Sequence, residues 1–144
     1  MMNQEVRKIM STHPEVAHPN QTVEEVSHLM IDKRIQQMPV VEDGKLLGLV
    51  TTHDLWRKYE HNESIGHLKV SDVMNTNVIK INPKDKVGTA AELFADTRFK
   101  TLPVVNLNNE LKGVITAFDI IKVAFKEEYG NAILYKEEFA QEAR

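Results

Sequence analysis

The chain has 144 residues, 18 basic against 21 acidic side chains, a net charge of -3 and no cysteine. This balance argues against a nucleic-acid-binding protein, which usually has a basic excess, and the lack of cysteine excludes disulfides and thiolate chemistry. No apolar run reaches the ~18 residues of a membrane helix and no signal peptide is visible, so we expect a soluble protein of the cytoplasm.

The first half of the chain begins with an amphipathic segment, an extended piece and a helix. Val6–Met10 forms the amphipathic segment, and the extended piece ends at Pro19. Thr22 is placed to cap the helix, with Glu25 completing a capping box. Four apolar residues follow at helical spacing and predict one buried face: Val23, Val26, Leu29 and Met30.

A hairpin and a closing helix complete this first unit. The strands Met38–Glu42 and Leu46–Thr51 flank Asp43-Gly44, which is a strong signal for a tight hairpin turn. The closing helix is predicted over about Thr52–Glu60, and His61–Lys69 has the composition of a linker.

The second half repeats these elements at an offset of 64 residues, which becomes 65 after one extra residue in the Asn106–Glu110 loop. Val70–Met74 repeats the amphipathic segment, and a helix from about Asp85 carries its own apolar face, formed by Val87, Ala90, Ala91, Leu93 and Phe94. The strands Leu102–Asn106 and Leu111–Thr116 and the closing helix Ala117–Lys126 follow.

Such a duplication predicts two repeats, residues 5–60 and 70–126, joined by the linker 61–69. Each repeat has about 55 residues and a thin core, so we expect one pseudo-symmetric α+β module that buries its sheets together. The tail 127–144 lies outside the repeat, and Asn131–Glu142 looks helical. We expect this helix to pack on the module, with a dimer contact or a disordered end as the alternatives.

One seven-residue stretch, Gly48–Asp54, recurs as Gly113–Asp119 and reads as a strand that turns directly into a helix. Glycine permits a close backbone approach. The threonine of each copy can cap the helix, and the aspartate lies in the first turn, where the helix dipole favours a carboxylate. The same hydroxyl and carboxylate can grip a polyol such as ribose, and both interpretations stay open.

Together the two Gly-to-Asp stretches and the two Pro-Val-Val strands resemble a tandem pair of cystathionine-β-synthase (CBS) domains, also called a Bateman module, over about residues 5–126. The resemblance implies two β-α-β-β-α repeats packed through their sheets around a pseudo-twofold axis, often in a homodimer. It also implies clefts for AMP, ADP, ATP or S-adenosylmethionine, with no required cofactor. Such modules usually regulate a partner protein, here unidentified, and the chain resembles the stand-alone form.

The resemblance assigns residues to two clefts. The first cleft would use Thr116 and Asp119 together with residues of the early strand, namely Ser11, Thr12, Pro14, Val16 and Ala17. The second would use Thr51 and Asp54, with His53 as a further donor, together with Asn75, Val78, Ile79 and Ile81.

A basic residue before the Pro-Val-Val strand meets the phosphate in relatives. The second repeat has Lys100 there, whereas the first has the neutral Gln36 and Gln37, which cannot neutralise phosphate. We therefore assign Lys100 to the Asp119 site and expect that site to be the better one. Glu15, which stands where relatives prefer an aliphatic residue, counts against this ranking. Arg34 and Arg98 are further basic candidates.

The main alternative is a ligand-free module that acts through dimerisation or a partner protein. Catalysis is not expected, because no nucleophile–base pair, paired catalytic carboxylates or Gly-rich phosphate loop is visible. The six histidines are scattered without a metal-ligand spacing, so we expect no metal site. Trp56, on the closing helix of the first repeat, favours core packing or a dimer contact over ligand stacking.

Overall fold

The computed structural model describes residues 1–62, 64–96 and 99–129, so the expected helix over 131–142 and Arg98 lie outside the described residues. The elements, in chain order, are α1 (Val23–Lys33), β1 (Gln37–Glu42), β2 (Lys45–Thr51), α2 (Thr52–His61), α3 (Val70–Val73), α4 (Val87–Asp96), β3 (Thr101–Val105), β4 (Leu111–Thr116) and α5 (Ala117–Tyr129). Short 3-10 turns cover Val6–Lys8 and Ile65–His67. The predicted mixed fold of helices and small sheets is confirmed.

Local signals set the ends of the first long helix. The Thr22 hydroxyl accepts a hydrogen bond from the Glu25 N–H at 3.1 Å, which is one half of the predicted capping box. At the other end Arg34 adopts a left-handed conformation with φ of 56°, which closes the helix. The predicted apolar face is confirmed, because Val23, Val26 and Met30 are buried.

Each repeat forms an antiparallel hairpin, β1 with β2 and β3 with β4. The turn between β1 and β2 has positive φ at both central residues, 52° at Asp43 and 79° at Gly44, which matches the right-handed strand twist. The predicted hairpin at Asp43-Gly44 is therefore confirmed.

The strand expected before the first long helix of each repeat is reduced to a single parallel bridge. Ala17 pairs with Val40, donating its N–H to the Pro39 carbonyl and accepting from Val41, both at 2.8 Å. To extend this parallel ladder in one direction, the backbone N–H of Pro19 would have to donate the next hydrogen bond. To extend it in the other direction, the N–H of Pro39 would have to do so. Proline has none, so the ladder ends after one residue, as it does at the equivalent bridge of Ile81 with Val104.

The two repeats exchange their first helical segments. Val6 is fully buried in a core otherwise formed by the second repeat, namely Ile81, Val87, Ala90, Leu102, Val104, Ile115 and Ile120. Conversely, Val70 and Val73 of α3 join the core of the first repeat. Backbone hydrogen bonds hold both segments, from Val6 N to the Asp85 carbonyl and from Val70 N to the Gln21 carbonyl, each at 2.8 Å. Neither core is complete without the other repeat.

The residue after each exchanged segment crosses the opposite hairpin at the motif glycine. Ser11 pairs antiparallel with Val114, and Asn75 pairs with Leu49. A Cβ atom on Gly113 would lie 2.4 Å from the Ser11 carbonyl oxygen, and one on Gly48 would lie 2.8 Å from that of Asn75. The close approach predicted for these glycines is a crossing between repeats.

The two hairpin tips are also joined. Lys45 forms a bridge with Glu110, and Leu46 donates its N–H to the Asn109 carbonyl at 3.0 Å. The Asn109 side chain, on the longer turn of the second repeat, donates back to the Leu46 carbonyl at 2.8 Å. A hydrogen bond from Asn106 and the charges of Lys112 and Lys45 lower the pKa of Glu110. The longer turn of the second repeat is thus joined to the hairpin tip of the first.

Across the part of the chain that the structure describes, no helix combines the length and apolarity needed to cross a bilayer.

Candidate functional site

One cleft lies in front of the first turn of α2 and is called here the Asp54 cleft. It encloses about 410 Å³. Its walls come from both repeats and are Gln36, Gln37, Leu49, Thr51, Thr52, His53, Asp54, Asn75, Phe99 and Lys100.

A second cleft, called here the Thr116 cleft, lies at the end of β4 and encloses about 270 Å³. Its walls are Pro14, Glu15, Arg34, Ile35, Gln36, Gln37, Pro39, Thr101, Val114 and Thr116. The two clefts share Gln36 and Gln37, which therefore form a common wall between them.

The first turn of α2 leaves the Asp54 carboxylate available. The Thr51 hydroxyl accepts a hydrogen bond from the Asp54 N–H at 3.0 Å and so caps the helix. Within residues 1–62, 64–96 and 99–129, no hydrogen bond or ion pair engages the Asp54 carboxylate, which lines the cleft. Helix capping therefore explains the threonine of this stretch but not its aspartate.

The first turn of α5 uses its aspartate differently. The Thr116 hydroxyl accepts from the Asp119 N–H at 3.0 Å, while Asp119 Oδ2 accepts from the Thr116 N–H at 2.9 Å. This is a reciprocal capping box. Asp119 is not among the described residues that line the Thr116 cleft. The two aspartates are equivalent in sequence but differ in role: the Asp54 carboxylate is a free acceptor, whereas the Asp119 carboxylate caps its helix.

Lys100 lines the Asp54 cleft, and it is not among the described residues that line the Thr116 cleft. The expected assignment of Lys100 to the Asp119 site is therefore corrected. The start of β3 meets the start of β1 across the pseudo-twofold axis, where Gln37 Oε1 accepts from the backbone N–H of Lys100 at 3.1 Å. Lys100 thus faces the first repeat. Arg34 of the first repeat lines the Thr116 cleft, together with Val114 and Thr116 of the second.

The remaining residues predicted for the Thr116 side are partly dispersed. Pro14 lines the cleft with Thr116, and Ser11 contacts its wall through backbone hydrogen bonds with Val114. Thr12 and Val16 are exposed and are not among the residues that line it. Ala17 is a further correction, because its side chain is 0% exposed and both of its backbone groups pair with β1.

The residues predicted for the Asp54 side show the same division. Thr51, His53, Asp54 and Asn75 line the cleft together. Val78 and Ile79 are half-buried and are not among its lining residues. Ile81 is corrected like its counterpart Ala17, because it is buried in a core and both of its backbone groups pair with β3.

The sequence interpretation missed five lining residues of the Asp54 cleft. Leu49 and Thr52 belong to the Gly-to-Asp stretch itself, and Phe99 directly precedes Lys100. The sequence signal for Phe99 was its position as an aromatic residue directly beside Lys100, the predicted phosphate contact. Gln36 and Gln37, which were noted only for their lack of charge, are the other two.

These groups define what the Asp54 cleft can bind. A free carboxylate accepts two hydrogen bonds from a vicinal diol. The Lys100 ammonium can meet an anionic group, while Phe99 and Leu49 offer an apolar wall to a flat ring. The combination suits a nucleoside that carries a phosphate.

Comparisons with known proteins agree with this geometry. A family profile described as CBS domain matches residues 6–55 and 70–126. The CBS domain-containing protein YhcV of Bacillus subtilis is 32% identical over 129 residues, which are 89% of this chain and 91% of that protein. Homoserine O-acetyltransferase of Methanococcus vannielii is 33% identical over 116 residues, but the match covers only 24% of that enzyme.

Among solved structures, the CBS domain pair of protein MJ0100 in complex with 5′-methylthioadenosine and S-adenosyl-L-methionine is similar to this chain. The sequence identity is 26% and the TM-score is 0.73, and the match covers 86% of this chain and 98% of that one.

Proposed function

Since the chain belongs to the CBS-domain family, with two repeats in tandem, we propose that it is a regulatory module whose Asp54 cleft binds an adenosyl ligand. The observation that carries the proposal is the free Asp54 carboxylate in a cleft that also holds Lys100 and Phe99. The similar MJ0100 pair was solved with adenosyl ligands, which supports this ligand class. AMP, ADP, ATP and S-adenosylmethionine are the candidates.

This proposal reverses the order of the two sites that the sequence alone indicated. The Asp54 cleft is larger and contains the lysine. The Thr116 cleft contains Glu15, whose charge opposes a phosphate, beside Arg34, and Asp119 is occupied as a helix cap. We therefore assign the stronger adenosyl site to Asp54 and the weaker to Thr116.

We infer that the chain acts by binding rather than by catalysis. The matched part of homoserine O-acetyltransferase is a minor share of that enzyme, which supports a regulatory role for the shared segment. The regulated protein and a location in the cytoplasm stay predictions from the sequence.

We expect adenosyl ligands to stabilise the fold. A ligand that binds only the folded state at about 10 times its dissociation constant raises the free energy of unfolding by about 1.4 kcal/mol. Thermal unfolding with AMP, ADP, ATP and S-adenosylmethionine, each followed by calorimetric titration, measures this shift. Recovery of the ligand unchanged agrees with a binding role.

The control for that screen is guanosine monophosphate, which offers the same ribose and phosphate with a different base. A preference for the adenosyl ligand supports the proposal. If none of the four ligands raises the unfolding temperature, the ligand-free interaction module is the better account.

An exposed apolar stripe on α5 supports the predicted homodimer. Phe118, Ile121 and Tyr129 are 65%, 61% and 68% exposed, and Phe125 packs on Tyr129 with ring centroids 4.8 Å apart. Trp56 on α2 is 59% exposed at the position equivalent to Ile121. Exposed apolar surface marks an interaction site, and exposed apolar residues at equivalent positions of the two repeats suit a twofold dimer.

We expect Ile121→Asp to weaken this dimer at least about 10-fold, because it places a charge at the centre of an apolar contact. Sedimentation equilibrium gives the dissociation constant. Ile31→Asp is the matched control, since Ile31 is 71% exposed on α1 and outside the stripe. A monomeric wild-type chain, or equal effects of the two substitutions, contradicts a dimer through this face.

A further inference from the structure

Two glutamines of the first repeat hold the lysine of the second. Gln37 Oε1 accepts hydrogen bonds from the backbone N–H groups of Lys100, at 3.1 Å, and Thr101, at 2.9 Å. Gln36 Oε1 accepts from Lys100 Nζ at 3.2 Å. Both ends of the lysine are therefore fixed by side chains that lie on the opposite side of the pseudo-twofold axis.

The same dipeptide is tied to the start of α2. Gln37 pairs with Thr51 in the β1–β2 register, and the Gln36 carbonyl accepts from the Thr52 N–H at 2.9 Å. One segment therefore holds both the helix start that carries Asp54 and the residue that carries the cation. The spacing between carboxylate and ammonium in the Asp54 cleft depends on this segment.

We propose that Gln37 is a positioning residue that sets Lys100 for an anionic group of the ligand in the Asp54 cleft, an inference that rests on the proposed function. Gln37 fixes the backbone from which the Lys100 side chain projects, and Gln36 accepts from Lys100 Nζ. Lysine is a flexible point charge, and fixing its backbone and its ammonium before the ligand arrives lowers the entropic cost of binding. Thr101, the counterpart of Gln37 in the second repeat, is too short to make the reciprocal contact. This asymmetry gives the Asp54 cleft a fixed cation.

The test compares AMP with adenosine, which differ only in the phosphate. Lys100→Ala is expected to weaken the affinity for AMP by about 10- to 150-fold, which is the range of a charge-assisted hydrogen bond. The affinity for adenosine should stay nearly unchanged. Gln37→Met keeps the length of the side chain but removes the acceptor. We expect this substitution to weaken the affinity for AMP by about 2- to 10-fold, which is the range of a neutral hydrogen bond. The affinity for adenosine should again be unchanged.

A double-mutant cycle shows whether Gln37 acts through Lys100. In the Lys100→Ala background, Gln37→Met should no longer change the ratio of AMP to adenosine affinity. Gln21→Met is the control, because Gln21 Oε1 likewise accepts a backbone N–H, from His18 at 2.8 Å, and Gln21 lines neither cleft.

The outcomes separate the two proposals. Equal loss of AMP and adenosine in Gln37→Met, or additive effects with Lys100→Ala, overturns the positioning role while leaving an adenosyl site in place. Wild-type protein that binds neither AMP nor adenosine overturns the positioning role, and the proposed function is overturned with it if ADP, ATP and S-adenosylmethionine also fail to bind.

Discussion

Gly113→Ala should lower the free energy of unfolding by about 3 kcal/mol, at the upper end of what overpacking costs. The new Cβ would lie 2.4 Å from the Ser11 carbonyl oxygen and 3.0 Å from Met10 Sδ. Backbone on the other side cannot yield as a flexible side chain can, so the crossing of residue 11 over β4 must open. The exchanged segment Val6–Lys8 is then displaced with it.

Urea unfolding at equilibrium measures this loss, and two other glycines calibrate it. Gly48→Ala should cost less, because the nearest oxygen, of Asn75, is 2.8 Å away. Gly66→Ala should be neutral or slightly stabilising, since its closest neighbours lie at 3.6 Å and alanine reduces the entropy of the unfolded chain. A Gly113→Ala protein as stable as Gly66→Ala would refute the tight crossing.

The second large effect is expected at Asp54. Asp54→Ala should weaken adenosyl binding by about 10- to 150-fold, because a charge-assisted hydrogen bond contributes about 1.5–3 kcal/mol. The free energy of unfolding of the Asp54→Ala protein should change little, since in the described chain no hydrogen bond to the carboxylate is lost. Calorimetric titration and thermal unfolding on the same sample give both quantities.

Asp119→Ala is the matched control and should show the opposite profile. It removes the acceptor for the Thr116 N–H, so the free energy of unfolding should fall by about 0.5–2 kcal/mol, the cost of losing a cap. Adenosyl affinity at the Asp54 cleft should stay within about twofold. If Asp119→Ala abolishes binding and Asp54→Ala does not, the order of the two sites proposed here is wrong.

Features set by local sequence were predictable. The threonine caps, the Asp43-Gly44 turn and the apolar faces of α1 and α4 depend on residues within one turn or one hairpin, and each is confirmed. The repeat was visible because the same local signals recur at a fixed offset.

Features set by contacts between repeats were not predictable. Lys100 belongs to the same repeat as Asp119 and was therefore assigned to the Asp119 site. In the structure it lies across the pseudo-twofold axis and lines the cleft at the helix start of the other repeat. Ala17 and Ile81 were expected in the clefts because the resemblance assigns residues of the early strand to them, but in the structure each is buried and pairs with a neighbouring hairpin. The difference between Asp54 and Asp119 has no signal in the motif, since both copies have threonine and aspartate at the same spacing.

The exchange of first helical segments has a consequence for how the chain folds. Residues 17–62 cannot close their core until Val70 and Val73 have left the ribosome, and the second core depends on Val6, which is made long before its partners. Contacts this distant in sequence must be closed at an entropic cost that slows folding. Neither sequence repeat is therefore an autonomous folding unit, and the pair should form in a single cooperative step.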